Sequence, residues 1–157
     1  MVITATEPAQ RARTARSVGA ALDAVELREL LAAALILEGL ALRRTRAFDA
    51  ADVARLRAAA LRARLVVNDP AAAARAEDDF HRRLVERCGD ARLLAVLTPV
   101  QDALLEYRRA APVGGSDPEA IVAALESGDH EAAALRLRAT FASTLARLLA
   151  GVDARGR

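Results

Sequence analysis

The sequence predicts an all-α protein. Hydrophobic residues make up 54% of the 157 positions, and most of them are Ala and Leu, which suit closely packed helices. Aromatic residues account for only 3%, and Trp is absent. A chain of this length forms one domain and buries roughly two thirds of its unfolded surface. End signals and the spacing of apolar residues mark each of its helices.

The first predicted helix covers residues 23–44, after a flexible arm or partial helix at residues 1–22. It is apolar nearly all round between residues 30 and 42, which is typical of a central element. Glu38 interrupts this apolar surface. Its carboxylate reaches the rim of the helix or serves the interior, and the rim is the favoured interpretation because an unpaired buried charge is costly.

The second and third helices have clear boundaries. Asp49 can cap the second helix, which ends at Asn68. Asp69 can cap the third, where Pro70 suits the first position and Gly89 supplies a left-handed stop. The third helix should therefore run between Asp69 and Gly89.

The most chemically informative pair lies on this third helix. Glu77, His81, Leu84 and Cys88 follow a spacing of four, three and four, which places them on one helical face. Two apolar members indicate that the face points inward. A Glu and a His one turn apart in an apolar wall form half of a metal site or the polar end of a ligand pocket. The alternative is a buried His satisfied by a neighbouring Glu.

The fourth helix starts at the cap Asp90, and Gln101 lies on its mostly apolar inner face. A loop rich in Gly and Pro follows at residues 110–118. Ser116 with Glu119 fits a capping box, which predicts a short fifth helix that ends at Gly128.

The sixth helix is capped by Asp129 and is expected to end at Gly151, before a disordered tail at residues 152–157. Thr140 and Thr144 lie one turn apart on its inner stripe. Their hydroxyls contact a ligand or bond back to the helix backbone, which threonines in helices often do.

Several classes of function are disfavoured. A formal net charge of +2 provides no concentrated field for nucleic acid, and all 23 basic residues are Arg, which suggests a bacterial genome rich in GC. The longest apolar run, residues 30–37, is too short to span a membrane, and the opening residues lack a secretory signal. A cytoplasmic protein is expected. The single Cys88 excludes an internal disulfide, and no P-loop or nucleophile elbow is present.

Three segments together resemble a known family. They are LEGLA at residues 37–41, FHRRLVERCGDARLLAVL at residues 80–97 and AIVAALESGDHEAAALRLRATF at residues 120–141. In this order they resemble the FCD domain of GntR-type transcriptional regulators, and the likeness covers residues 30–150. It implies an antiparallel bundle of about six helices around a central cavity, a homodimer, and a divalent metal that receives a carboxylate effector. The domain itself would occupy residues 23–151.

The ligand set implied by the resemblance is incomplete here. The family's acidic ligand falls on Glu77 and its first histidine on His81, whereas the second and third histidines fall on Pro118 and Thr140. An arginine common in the first helix is replaced by Ala34. Neither Pro nor Thr normally holds a divalent ion, so a metal is disfavoured, no cofactor is predicted, and any retained metal would depend on Glu77 and His81.

The resemblance also implies a winged helix-turn-helix of about 65 to 70 residues before this domain, where this sequence has about 25. We therefore expect a stand-alone effector-type domain without direct contact to nucleic acid or membrane.

Three functions remain open at this stage. The first is a binding module for a small organic molecule, with carboxylates among the candidate ligands. The second is an enzyme of the isomerase, cyclase or lyase type, with His81 as acid or base and Glu77 orienting it. The third is a purely structural dimer with a closed core. The expected ligand contacts are Glu38, Glu77, His81, Gln101, Thr140 and Thr144.

Overall fold

A computed structural model describes residues 24–110 and 117–155 of the chain. These residues form six helices and contain no strand. The helices are α1 Ala24–Arg44, α2 Ala50–Leu65, α3 Pro70–Glu86, α4 Ala91–Ala110, α5 Pro118–Glu126 and α6 His130–Arg155. The predicted all-α helical bundle is confirmed.

The bundle is organised around α1, which packs against α3, α4 and α6. Helix α2 packs against α3 and α5, and α5 also packs against α6. Helix α3 also packs against α4. The main hydrophobic core includes Leu27, Leu56, Phe80, Leu104 and Leu137. A smaller cluster comprises Ala41, Val85, Leu93 and Leu97.

Aspartates cap the helix starts as the sequence predicted. Asp49 forms a capping box with Asp52, and Asp69 accepts a hydrogen bond from the backbone N–H of Ala72 at 3.0 Å. Asp90 accepts one from Leu93 at 3.0 Å, and Asp129 accepts one from Ala132 at 2.8 Å. These carboxylates satisfy backbone donors that a helix start leaves free.

Three predicted boundaries are wrong. Helix α2 ends at Leu65, where Asn68 was expected. Helix α5 begins at Pro118 with Asp117 as its cap, where Ser116 was expected, and Ser116 lies outside the described residues. Helix α6 continues through Gly151 to Arg155, because a single Gly weakens a helix without ending it. The expected arm at residues 1–22 also lies outside the described residues.

No helix in the described ranges is both long and apolar enough to cross a membrane.

Two glycines in the connections adopt backbone conformations that other residues avoid. Gly89 has φ 66° and Gly128 has φ 76°, and a Cβ at either position would meet no atom within 4 Å. Replacing either by Ala should therefore cost about 1–2 kcal/mol of unfolding free energy, all of it from backbone strain. Urea denaturation followed by circular dichroism measures this cost.

Gly39→Ala is the matched control for these variants. Gly39 lies within α1, and its added Cβ would meet the Arg43 side chain at an ordinary 3.7 Å. Ala is favoured over Gly inside a helix, so this change should raise the unfolding free energy by up to about 1 kcal/mol. Equal effects at Gly39 and Gly89 would contradict the role assigned to the left-handed backbone.

Candidate functional site

A buried carboxylate joins three helices at the centre of the candidate site. Glu38 of α1 is only 1% exposed. Its Oε2 accepts a hydrogen bond from His81 Nδ1 at 2.6 Å, and its Oε1 accepts one from Gln101 Nε2 at 3.0 Å. The favoured rim position for Glu38 is therefore wrong. Hydrogen bonds from two neighbouring helices offset the cost of burying this carboxylate.

The His81 ring is fixed from several sides. Its ring lies edge-on to Phe80, with centroids 5.7 Å apart, and edge-on to Phe141, with centroids 5.4 Å apart. Since Nδ1 donates to Glu38, Nε2 is the nitrogen that Glu38 leaves for another partner. The carboxylate that orients His81 therefore belongs to Glu38, whereas the sequence had suggested Glu77.

Glu77, unlike Glu38, is buried without a hydrogen-bond donor. It is 3% exposed, and neither oxygen of its carboxylate has a hydrogen-bond partner. A cation lies nearby: the Nε atom of Arg108, on α4, is 4.0 Å from Glu77 Oε1. Arg108 is 2% exposed, and its Nε is also without a hydrogen bond. The two charges face each other across a distance too long for a hydrogen bond.

A second arginine approaches Glu77 from α6. Burial lowers the pKa of Arg147, and the negative charge of Glu77 opposes that shift. The guanidinium donates to Ser143 Oγ at 2.9 Å and to Thr144 Oγ1 at 3.3 Å. Thr144 therefore serves as the acceptor for Arg147.

A narrow crevice lies between α2, α3, α5 and α6. The gap between its walls is too thin to admit a water molecule. The lining residues are Ala63, Glu77, Phe80, His81, Pro118 and Thr140. All four positions matched to the family's ligand set, at 77, 81, 118 and 140, thus meet in one place.

The expected contact residues divide into two groups. All six are buried. Glu77, His81 and Thr140 line the crevice. Glu38 accepts from His81, and Gln101 donates to Glu38. The remaining residue, Thr144, contacts Arg147.

Sequence reasoning missed the two arginines. Arg108 lies seven residues after Gln101 on α4, and this spacing of two helical turns could have placed it on the inner face. Arg147 likewise follows Thr140 by seven residues and shares its stripe.

The donors in the crevice do not fit a divalent metal. Glu77 and His81 are its only strong metal-ligating residues, since Pro118 has no side-chain donor and Thr140 offers a neutral hydroxyl. Across the part of the chain that the structure describes, no group of three or more His, Cys, Asp and Glu side chains is arranged to hold a metal. Protein sites for zinc and similar ions normally supply at least three ligands.

Comparison with known proteins identifies one similarity. The model of the family described as FCD domain matches residues 23–143. No curated protein and no solved structure matches the chain.

Proposed function

The chain belongs to the FCD domain family, and from this premise we propose that it is an effector-binding domain that takes a small organic molecule into the crevice. The observation that carries the proposal is the Glu77 carboxylate, which lines the crevice and is buried without a hydrogen bond. Buried polar groups in folded proteins are nearly always paired. A ligand that supplies the missing partner would complete this site.

The energetic argument favours a binding site over a purely structural core. An unsatisfied buried polar group costs about 1–3 kcal/mol, and more when it is charged. Without a ligand, a core with apolar residues in place of both Glu77 and Arg108 would be at least as stable. Because the crevice is too thin for water, a ligand must also move its walls apart. The shortest helix that lines the crevice is α5, with nine residues.

We also propose that this chain forms homodimers. Helices α1 and α4 pack side by side and carry Ile36 and Val96, which are 65% and 58% exposed. Exposed apolar side chains on adjacent helices suit a contact between two copies. We further propose that the chain acts as a cytoplasmic effector domain of a GntR-type system.

The test is a fragment screen on nitrogen-15 labelled protein by two-dimensional NMR. The library contains small carboxylates, amines and alcohols, and is run once with EDTA and once with added Zn²⁺ and Mn²⁺. We expect at least one compound to shift the amide signals of Ala63 and Thr140 in a saturable manner, with the same affinity in both runs.

Matched variants locate the binding. Ala63→Leu fills the crevice and should abolish the shifts, whereas Ala95→Leu on the exposed side of α4 should leave them unchanged. Hits that persist in Ala63→Leu, or a screen without hits near the crevice, would contradict the proposed function. Binding that appears only with added metal would contradict the metal-free site.

A second candidate function is supported by the contact between Glu38 and His81. A histidine that donates from Nδ1 to a buried carboxylate has its other nitrogen available as a general base, and His81 lines the crevice beside Thr140. This arrangement suits proton transfer in an isomerase, cyclase or lyase. Conversion of a bound compound that stops in His81→Gln, with binding retained, would favour this function.

A further inference from the structure

We infer that the ligand of the crevice is an organic amine whose ammonium group donates hydrogen bonds directly to Glu77. This inference rests on the proposed function and specifies the chemistry of that site. It replaces the metal-held carboxylate that the incomplete ligand set cannot support.

The Glu77 carboxylate has unused capacity to accept hydrogen bonds. Both carboxylate oxygens are buried and lack a donor. Arg108 Nε at 4.0 Å provides opposite charge without reaching hydrogen-bond distance. An ionised carboxylate only accepts hydrogen bonds, so the missing partner must be a donor. An ammonium group brings three donors on one atom and can therefore reach both oxygens.

The second step is the charge of the crevice walls. Apart from Glu77 and His81, the lining side chains are the neutral Ala63, Phe80, Pro118 and Thr140. Neither Arg108 nor Arg147 is among the lining residues. A carboxylate ligand would therefore meet the negative charge of Glu77 before any cation, and at about 4 Å this repulsion exceeds thermal energy several-fold. An ammonium group in the crevice would instead be attracted to Glu77, since Arg108 and Arg147 are not among the lining residues.

The third step is the apolar part of the ligand. Phe80 lines the crevice, and an aromatic side chain packs favourably against hydrocarbon. Ala63 and Pro118 add further apolar surface. A small aliphatic amine therefore matches the crevice, because its ammonium group can reach Glu77 and its hydrocarbon part can contact the apolar lining.

The test uses three probes with similar carbon skeletons: isobutylamine, isovalerate and isobutanol. Each is titrated into labelled protein with EDTA, and the amide shifts of Ala63 and Thr140 are followed. A probe with about five heavy atoms that binds efficiently has a Kd on the order of 1–10 mM. We expect isobutylamine to saturate in this range and isovalerate to bind at least about tenfold more weakly.

Variants of Glu77 connect the binding to its carboxylate. Glu77→Gln removes the charge with little change in shape and should weaken isobutylamine at least about tenfold. Glu77→Asp keeps the charge on a shorter side chain and should weaken isobutylamine binding less than Glu77→Gln does. It replaces Glu77→Gln in the test if that variant does not fold. Glu86→Gln, an exposed position on the same helix, is the matched control and should leave the affinity unchanged.

The failures of the two proposals are distinguishable. Isovalerate binding in the crevice as tightly as isobutylamine, unchanged amine affinity in Glu77→Gln, or no crevice shifts from isobutylamine would overturn the amine inference. The proposed function would survive if another compound from the wider screen still bound there. A crevice that binds none of the compounds would overturn both.

Discussion

Glu38→Ala is expected to lower the unfolding free energy by about 3–5 kcal/mol, one of the largest effects of any single substitution in this chain. The change removes the acceptor for both His81 Nδ1 and Gln101 Nε2, which are buried and lose their partners together. It also leaves a void in a packed interior, since Glu38 is 1% exposed. Urea denaturation with circular dichroism at neutral pH measures the loss.

Two further variants separate the causes. Glu29→Ala, an exposed glutamate on the same helix, should change the unfolding free energy by no more than about 0.5 kcal/mol. Glu38→Gln keeps the side-chain volume and one acceptor oxygen, so its cost should lie between those of the two alanine variants. A loss below about 1 kcal/mol for Glu38→Ala would show that the contacts to His81 and Gln101 contribute little.

The helices were predictable because their signals are local. Aspartates before Pro or an apolar run, and glycines at Gly89 and Gly128, mark starts and ends through contacts within a few residues. Gly151 misled the prediction because helix α6 continues beyond it, and a single Gly costs a helix only about 1 kcal/mol.

The site was predictable only where its residues share a helix. The spacing of Glu77 and His81 placed both side chains on the inner face of α3, and both are buried. The partner of His81 is Glu38, which precedes it by 43 residues, and helical periodicity carries no information about such a pair. The same holds for Arg108 opposite Glu77. Contacts between helices depend on packing angles that the sequence does not state.

The second large effect concerns Glu77 and Arg108 as a pair. Arg108→Met deprives the buried Glu77 carboxylate of its partner at 4.0 Å, and Glu77→Leu leaves the buried guanidinium of Arg108 without that partner. Each single change should cost about 3–5 kcal/mol of unfolding free energy. The double variant Glu77→Leu/Arg108→Met removes both charges and should be as stable as the natural sequence or more so. A double-mutant cycle by urea denaturation measures the coupling.

The exposed pair Arg57 and Glu126 is the matched control for this cycle. Their side chains are 60% and 53% exposed, and their coupling should stay below about 1 kcal/mol. Additive costs at Glu77 and Arg108, within about 0.5 kcal/mol, would show that these two charges do not act as a pair.

The double variant also connects stability with function. If it is as stable as the natural sequence and no longer binds isobutylamine, then the buried charges contribute nothing to the fold that Leu and Met could not supply. Their retention would be explained by recognition, because the carboxylate of Glu77 is the group that the crevice offers to a ligand. A stable double variant that still bound the amine would place the recognition on His81 or Thr140.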